Sequence, residues 1–91
     1  MTARFKLGQM VATPQSITIL AQDNMKPLDL IKRHVSGDWG DVCFEDAEAN
    51  EAAVKDGDRI LSVYHTSQGE KLYVITEWDR SVTTVLMADE Y

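Results

Sequence analysis

The stretch that decides the fold runs from Arg59 to Met87 and reads RILSVYHTSQGEKLYVITEWDRSVTTVLM. Three segments in it, RILSVYHT, KLYVITE and VTTVLM, alternate apolar and polar side chains and are rich in Val, Ile, Thr and Tyr, which is typical of strands. The connections SQGE and WDRS are too short to hold a crossover helix. The stretch therefore predicts an antiparallel meander of three strands.

Three helices are predicted upstream of this meander. Thr13 followed by Pro14 is typical of a helix start, because the hydroxyl oxygen can accept a backbone N–H bond and the ring fixes φ near its helical value. Pro27 opens a second helix, which Gly37 ends. The third, FEDAEANEAAVKDGD from residue 44, is rich in Ala and Glu and ends at Gly57.

Apolar side chains recur at helical spacing and predict which faces pack on the sheet. Helices first and hairpins afterwards indicate an α+β fold, with two to three N-terminal helices on one face of a three- or four-stranded antiparallel sheet. We expect one domain, residues 1–91. The expected inward residues are Ile17, Leu20 and Ala21 in the first helix, Leu28, Leu30, Ile31 and Val35 in the second, and Phe44, Ala47 and Val54, interrupted by Glu51, in the third.

The N-terminal stretch ARFKLGQMVAT predicts the fourth strand, because its first half alternates, with Phe5 and Leu7 on one side. In so small a sheet an outer strand such as 82–87 would present an edge with few charges. That edge predicts a homodimer formed by pairing VTTVLM with its copy.

Composition excludes several classes of function. The chain is 44% apolar and 26% charged, which is typical of a globular domain. No apolar run approaches the ~20 residues of a membrane span, and the start is unlike a signal peptide. The only cysteine, Cys43, predicts a reducing compartment, the cytoplasm, and we expect it to be a small buried side chain. Neither a metal-ligand spacing nor a glycine-rich phosphate loop is present, so no cofactor or metal is expected.

The net charge of −6 comes from one segment. Residues 38–58 hold eight acids and one base, whereas residues 1–37 hold five bases and two acids. The segment is either a solvated helix face or an acidic surface for a basic protein partner. Clustered Lys and Arg with aromatic residues between them are missing, so direct nucleic-acid binding is not expected. Under the second interpretation the contact residues are Asp38, Trp39, Asp41, Glu45, Glu48 and Glu51, with Trp39 either the anchor or a plug at the end of the core.

A ribonuclease is the alternative. Metal-independent RNA cleavage needs a general base, a general acid and a cation for the phosphorane charge. His34 as base or acid, Arg80 or Arg59 as cation, and Thr83 or Thr84 as phosphate donor would meet those needs. The outline is similar to small ribonucleases and toxins of the barnase, colicin and RelE type. Two structural roles stay open instead: His34 as a cap of its helix C-terminus, and the DRS segment at 79–81 as a hairpin turn.

Four blocks, LGQMVATP, RHVSGDWGD, EDAEANEAAVKDGDRILSVYHT and KLYVITEWDRSVTTVLMADEY, span nearly the whole chain. In this order they resemble a group of small bacterial proteins of about this length, often carried on plasmids and other mobile elements. The resemblance implies a setting, a bacterial cytoplasm and a mobile element. In that setting the acidic segment at 38–58 favours an accessory factor or anti-defence inhibitor that binds a basic protein surface. The resemblance implies no role for any single residue.

Overall fold

A computed structural model describes residues 3–91 and confirms the α+β fold, with the helices before the meander. Helices α1 to α3 and strands β2 to β4 all occupy predicted stretches. The elements are β1 (Gln9–Ala12), α1 (Pro14–Ala21), α2 (Pro27–Val35), α3 (Phe44–Asp56), β2 (Ile60–His65), β3 (Lys71–Thr76) and β4 (Val82–Met87), followed by a 3₁₀ turn (Ala88–Glu90).

The four strands form one sheet in the order β1-β4-β3-β2. β2 with β3 and β3 with β4 are antiparallel, as predicted, but β1 runs parallel to β4, so the sheet is mixed. β4 is paired on both sides and is not an edge, so the expected dimer through 82–87 is wrong. Alternation in a sequence shows which side chains are buried, and it carries no information on strand order or direction.

The N-terminal strand lies later than predicted. Residues 3–8 are an irregular segment, in which Phe5 packs against the Trp39 and His34 rings and Leu7 against the core. The strand begins only after Gly8, whose φ is +65°. A Cβ at Gly8 would overlap the backbone of Arg80 and Ser81, so this crossing requires glycine.

The helices bury one face of the sheet in two clusters. Thr13 caps α1 as predicted, its hydroxyl oxygen accepting the Ser16 N–H at 3.2 Å. Five expected burials are wrong: Ile17, Leu28 and Phe44 are 48%, 45% and 72% exposed, and Ala21 and Cys43, the latter at the N-cap of α3, are exposed as well. The larger cluster is Leu20, Leu30, Ile31, Tyr64, Leu72, Val74, Val85 and Met87, and the smaller one is Trp39, Ala53 and Ile60.

The two edges of the sheet differ. On β2 the Asn50 side chain of α3 accepts the Leu61 N–H at 3.1 Å and donates to the Leu61 carbonyl at 2.7 Å. Gly40 bridges to Val63 on the same edge, and its +74° φ and contact with the Val63 carbonyl leave no room for a Cβ. The β2 edge is therefore covered. The β1 edge carries the exposed residues Gln9, Met10 and Val11.

Between residues 3 and 91, no helix has the length and apolar character needed to cross a membrane.

Candidate functional site

His34, the central residue of the catalytic interpretation, is completely buried. Its Nδ1 lies 2.6 Å from the Ser62 hydroxyl and its Nε2 lies 2.9 Å from the Thr76 hydroxyl. The Thr76 hydroxyl lies 2.7 Å from that of Thr83, which donates to the Leu7 carbonyl, also at 2.7 Å. These groups form one hydrogen-bonded chain inside the domain, which we call the buried relay: Ser62, His34, Thr76, Thr83 and the Leu7 carbonyl.

The buried relay has a fixed direction. Thr83 has one hydroxyl proton and donates it to a carbonyl, so the Thr76 hydroxyl must donate to Thr83. Thr76 then accepts from His34, which places the imidazole proton on Nε2 and leaves Nδ1 to accept from Ser62. Burial lowers the pKa of His34 from 6.5 to about 4, so the ring is neutral at pH 7. His34 neither caps α2 nor has access to a substrate.

Arg80 is also committed to structure. Its guanidinium donates to the carbonyls of Ala53 at 2.8 Å and Asp58 at 2.6 Å, at the C-terminal end of α3. Two further bonds reach the carbonyls of Glu77 and Trp78 in its own turn, and its φ is +59°. A cation at this end of a helix also stabilises the macrodipole. Arg80 therefore links the β3–β4 turn to α3.

We expect Arg80→Ala to lower the free energy of unfolding by about 1–2 kcal/mol, because several carbonyls at the end of α3 lose a charged donor. Arg80→Lys should restore only part of the lost stability. The two terminal nitrogens of Arg80 donate to different carbonyls, of Asp58 and Ala53, and a single ammonium group cannot reach both. Chemical denaturation of both variants checks the order. Arg59→Ala is the matched control and should change stability by less than about 0.5 kcal/mol. Equal losses in all three variants would contradict the linking role.

The remaining predicted cleavage residues are not assembled around His34 either. Thr83 belongs to the buried relay, and Thr84, its neighbour in β4, has its side chain on the opposite face of the sheet. Arg59 packs its guanidinium 5.0 Å from the centre of the Tyr91 ring. His34, Arg80, Thr83 and Thr84 thus share no accessible surface at which a phosphate could bind.

Three acids of the predicted binding set are engaged within the domain. Asp38 accepts from Arg33 Nε at 2.7 Å, and this contact holds the Asp38 pKa below its usual value. Asp41 lies 2.7 Å from His65 Nδ1. The Glu51 carboxylate accepts hydrogen bonds from both terminal nitrogens of Arg4, at 2.6 and 2.9 Å. These bonds lower the pKa of Glu51.

Trp39 is the plug and not the anchor. It is only 6% exposed, and its indole N–H donates to Glu51 at 3.1 Å. The Phe5 ring stacks over the Trp39 ring, with 6.2 Å between the ring centres. The Arg4 guanidinium lies 5.8 Å from the centre of the Trp39 ring. Residues 4 and 5 thus close the end of the core over Trp39, and a partner could not reach the indole without displacing them.

The other acids of the predicted set, Glu45 and Glu48, lie on α3, with Asp46 between them in the sequence. These three acids have no ion-pair partner among residues 3–91, and they share the first turns of α3 with Phe44, which is 72% exposed. Ala49 and Ala52 are exposed on the same helix. We call this surface the acidic helix face: Phe44, Glu45, Asp46, Glu48, Ala49 and Ala52.

The acidic helix face has the chemistry of a binding surface. It offers carboxylates that can pair with Lys or Arg and one apolar ring that can fill a socket. In the part of the chain that the structure describes, no three His, Cys, Asp or Glu side chains converge closely enough to hold a metal ion. No family model matches the chain, and neither the curated proteins nor the solved structures give a match.

Proposed function

We propose that this chain is a small acidic binding protein that engages a basic protein surface through the acidic helix face. The observation that carries the proposal is Phe44. An exposed aromatic side chain of this size, in the same turns of α3 as three carboxylates without an ion-pair partner in residues 3–91, suits an apolar socket with a basic rim.

The two kinds of group would contribute differently to binding. A buried aromatic anchor at the centre of an interface commonly costs about 2 kcal/mol or more of binding free energy when it is truncated. Charges at a rim mainly raise the association rate and exclude partners of the wrong sign. We therefore assign affinity to Phe44, and rate and selectivity to Glu45, Asp46 and Glu48.

The resemblance to proteins of plasmids and mobile elements supports a role in a bacterial cytoplasm as part of this proposal. A nuclease of a host defence system binds nucleic acid in a basic groove, and an acidic protein that occupies such a groove would inhibit it. The proposed partner is accordingly a protein whose basic groove normally binds phosphates, and the chain acts as an accessory factor or an inhibitor.

Site-specific photo-crosslinking in bacterial cells tests the proposal. We expect a photoreactive phenylalanine analogue at position 44 to give a discrete adduct with a basic protein, because the side chain there is exposed and an analogue will not disturb the core. The same analogue at Gln15 is the control, since Gln15 is exposed on α1, which packs against β4 and α2, whereas α3 packs on β2. Equal adducts from both positions would count against a specific interface.

Charge variants supply the second arm of this test. Glu45→Gln, Asp46→Asn and Glu48→Gln together should reduce the association rate at least tenfold at low salt. They should lower the free energy of unfolding by no more than about 2 kcal/mol, because Glu45 and Asp46 lie in the first turn of α3, and the variant should stay folded. Glu70→Gln, Glu77→Gln and Asp89→Asn remove three charges elsewhere and should leave association nearly as in the wild type. An RNA pool incubated in EDTA should stay intact, because His34 is buried; cleavage lost on His34→Ala in a folded variant would favour the ribonuclease instead.

A further inference from the structure

The edge of the sheet at β1 offers backbone hydrogen-bonding groups to another strand. Gln9 and Thr13 donate their N–H groups to the carbonyls of Ser81, directly before β4, and Val85, within β4. Alternate residues of a strand turn their backbone groups to opposite sides, so the N–H and C=O groups of Met10 and Ala12 point away from β4. These four groups have no partner within residues 3–91.

An apolar groove runs beside this edge. Its volume is about 250 Å³, and it is open to solvent between β1 and the first turns of α2. That volume is below the ~300 Å³ at which small-molecule sites begin, and well above a ~150 Å³ cavity that takes one benzene. It suits one or two apolar side chains of a peptide. The lining residues are Met10, Val11, Ala12, Pro27, Leu28 and Ile31.

Two lysines lie beside the groove without an ion-pair partner in residues 3–91. Lys26 directly precedes Pro27, and Lys32 lies one helical turn after Leu28 on the same side of α2. The nearby carboxylate of Asp29 keeps its negative charge, but it accepts the Lys26 backbone N–H at 2.9 Å and pairs with neither lysine side chain. Two copies of this chain pairing edge to edge would bring like charges together, and lysines beside an edge are a common protection against that pairing.

We propose that β1 binds an extended peptide segment of another protein by strand addition, with an apolar side chain in the groove and acidic residues beside Lys26 and Lys32. The outward groups of Met10 and Ala12 supply the main-chain bonds, and the groove with its lysines supplies the selectivity. This surface is separate from the acidic helix face, which lies with α3 at the β2 edge. The two would let one chain hold a basic partner and an acidic segment together.

A peptide display library tests the proposal. Random peptides selected on the folded wild-type chain should share apolar residues at alternating positions with Asp or Glu beside them. A synthetic peptide of that consensus should shift the amide signals of Met10 and Ala12 more than those of α3. No enrichment, a basic consensus, or signals that move on α3 instead would overturn the proposal.

Variants identify the contacts. Ala12→Pro removes an outward N–H without touching the β4 ladder and should weaken binding of the peptide at least tenfold. Leu28→Glu should do the same through the groove, since Leu28 is 45% exposed and the change does not disturb the core. Lys32→Glu should weaken binding about fivefold, whereas Lys55→Glu on α3 is the matched control and should not. Concentration-dependent self-association that Ala12→Pro abolishes would make the occupant a second copy and overturn the proposal.

Discussion

Replacing His34 by alanine is expected to lower the free energy of unfolding by about 3–5 kcal/mol, the largest effect of any single substitution proposed for this chain. The change leaves a cavity where the ring packed, and it leaves the buried hydroxyls of Ser62 and Thr76 without their partner. A domain of 91 residues has a total stability of about 5–14 kcal/mol at roughly 0.05–0.15 kcal/mol per residue, so this loss is a large share of the total. Urea denaturation followed by tryptophan fluorescence measures the loss.

Two controls separate the cavity from the hydrogen bonds. Thr76→Val keeps the shape of the site and breaks the buried relay on both sides of position 76, so we expect a loss of about 1–3 kcal/mol. His65→Ala removes the other histidine, which is exposed, and should change stability by less than about 0.5 kcal/mol. A His34→Ala variant as stable as the wild type would show that the relay contributes nothing to the fold.

Stability should fall by about 3 kcal/mol as the pH is lowered from about 6.5 to about 4, and His34 is the cause. Burial lowers the folded-state pKa of His34 to about 4, whereas the unfolded chain has the ordinary 6.5. Between these values the unfolded state binds a proton that the folded state does not, so the free energy of unfolding decreases with falling pH. Below about pH 4 both states bind the proton, and this contribution stays constant.

The two histidines make this pH dependence testable. His34→Gln should remove most of the slope between pH 6.5 and 4.5, whereas His65→Gln should retain it. The carboxylates of Asp38 and Glu51, with pKa values lowered by Arg33 and Arg4, lose their contribution only as the pH falls from near 4 through their folded-state pKa values. If the His34→Gln variant keeps the wild-type slope of the free energy of unfolding with pH, other groups cause the pH dependence.

The sequence predicted the elements of the fold better than their arrangement. Thr13, Pro27 and Gly57 mark helix boundaries because of the backbone conformation and hydrogen bonding of the residues next to them. A few neighbouring residues are therefore enough to predict these boundaries. Sheet order depends instead on contacts between distant segments: β1 pairs with β4 only after the whole chain between them has folded back. The first strand was misplaced because Phe5 and Leu7 alternate although they pack on Trp39 and the core, outside the sheet.

The buried relay was within reach of sequence reasoning and was missed. Ser62 lies between Ile60 and Tyr64 on the inward side of β2, and Thr76 follows Val74 on the inward side of β3. A histidine four residues after Leu30 belongs to the buried side of α2. Three polar groups on facing buried surfaces must satisfy one another. The exposure of Phe44 had no such signal, because its spacing from Ala47 and Val54 predicted an inward position, whereas the fully buried residues of α3 are Asn50 and Ala53.

The parallel pairing of β1 with β4 has a consequence for synthesis of the chain. Leu7 and the hydroxyl that it binds, on Thr83, are separated by 76 positions. At roughly 5–20 residues per second, a ribosome makes β1 several seconds before its partner strand exists. The hairpins β2-β3 and β3-β4 close short loops. Pairing β1 with β4 closes a loop that contains all the other elements, which costs more chain entropy. The docking of β1 should therefore come last and should limit the rate of folding. During that interval Met10 and Val11 are open to chaperones, and the nascent protein passes through a stage in which β1, made before the other three strands of its sheet, is the last of them to be placed.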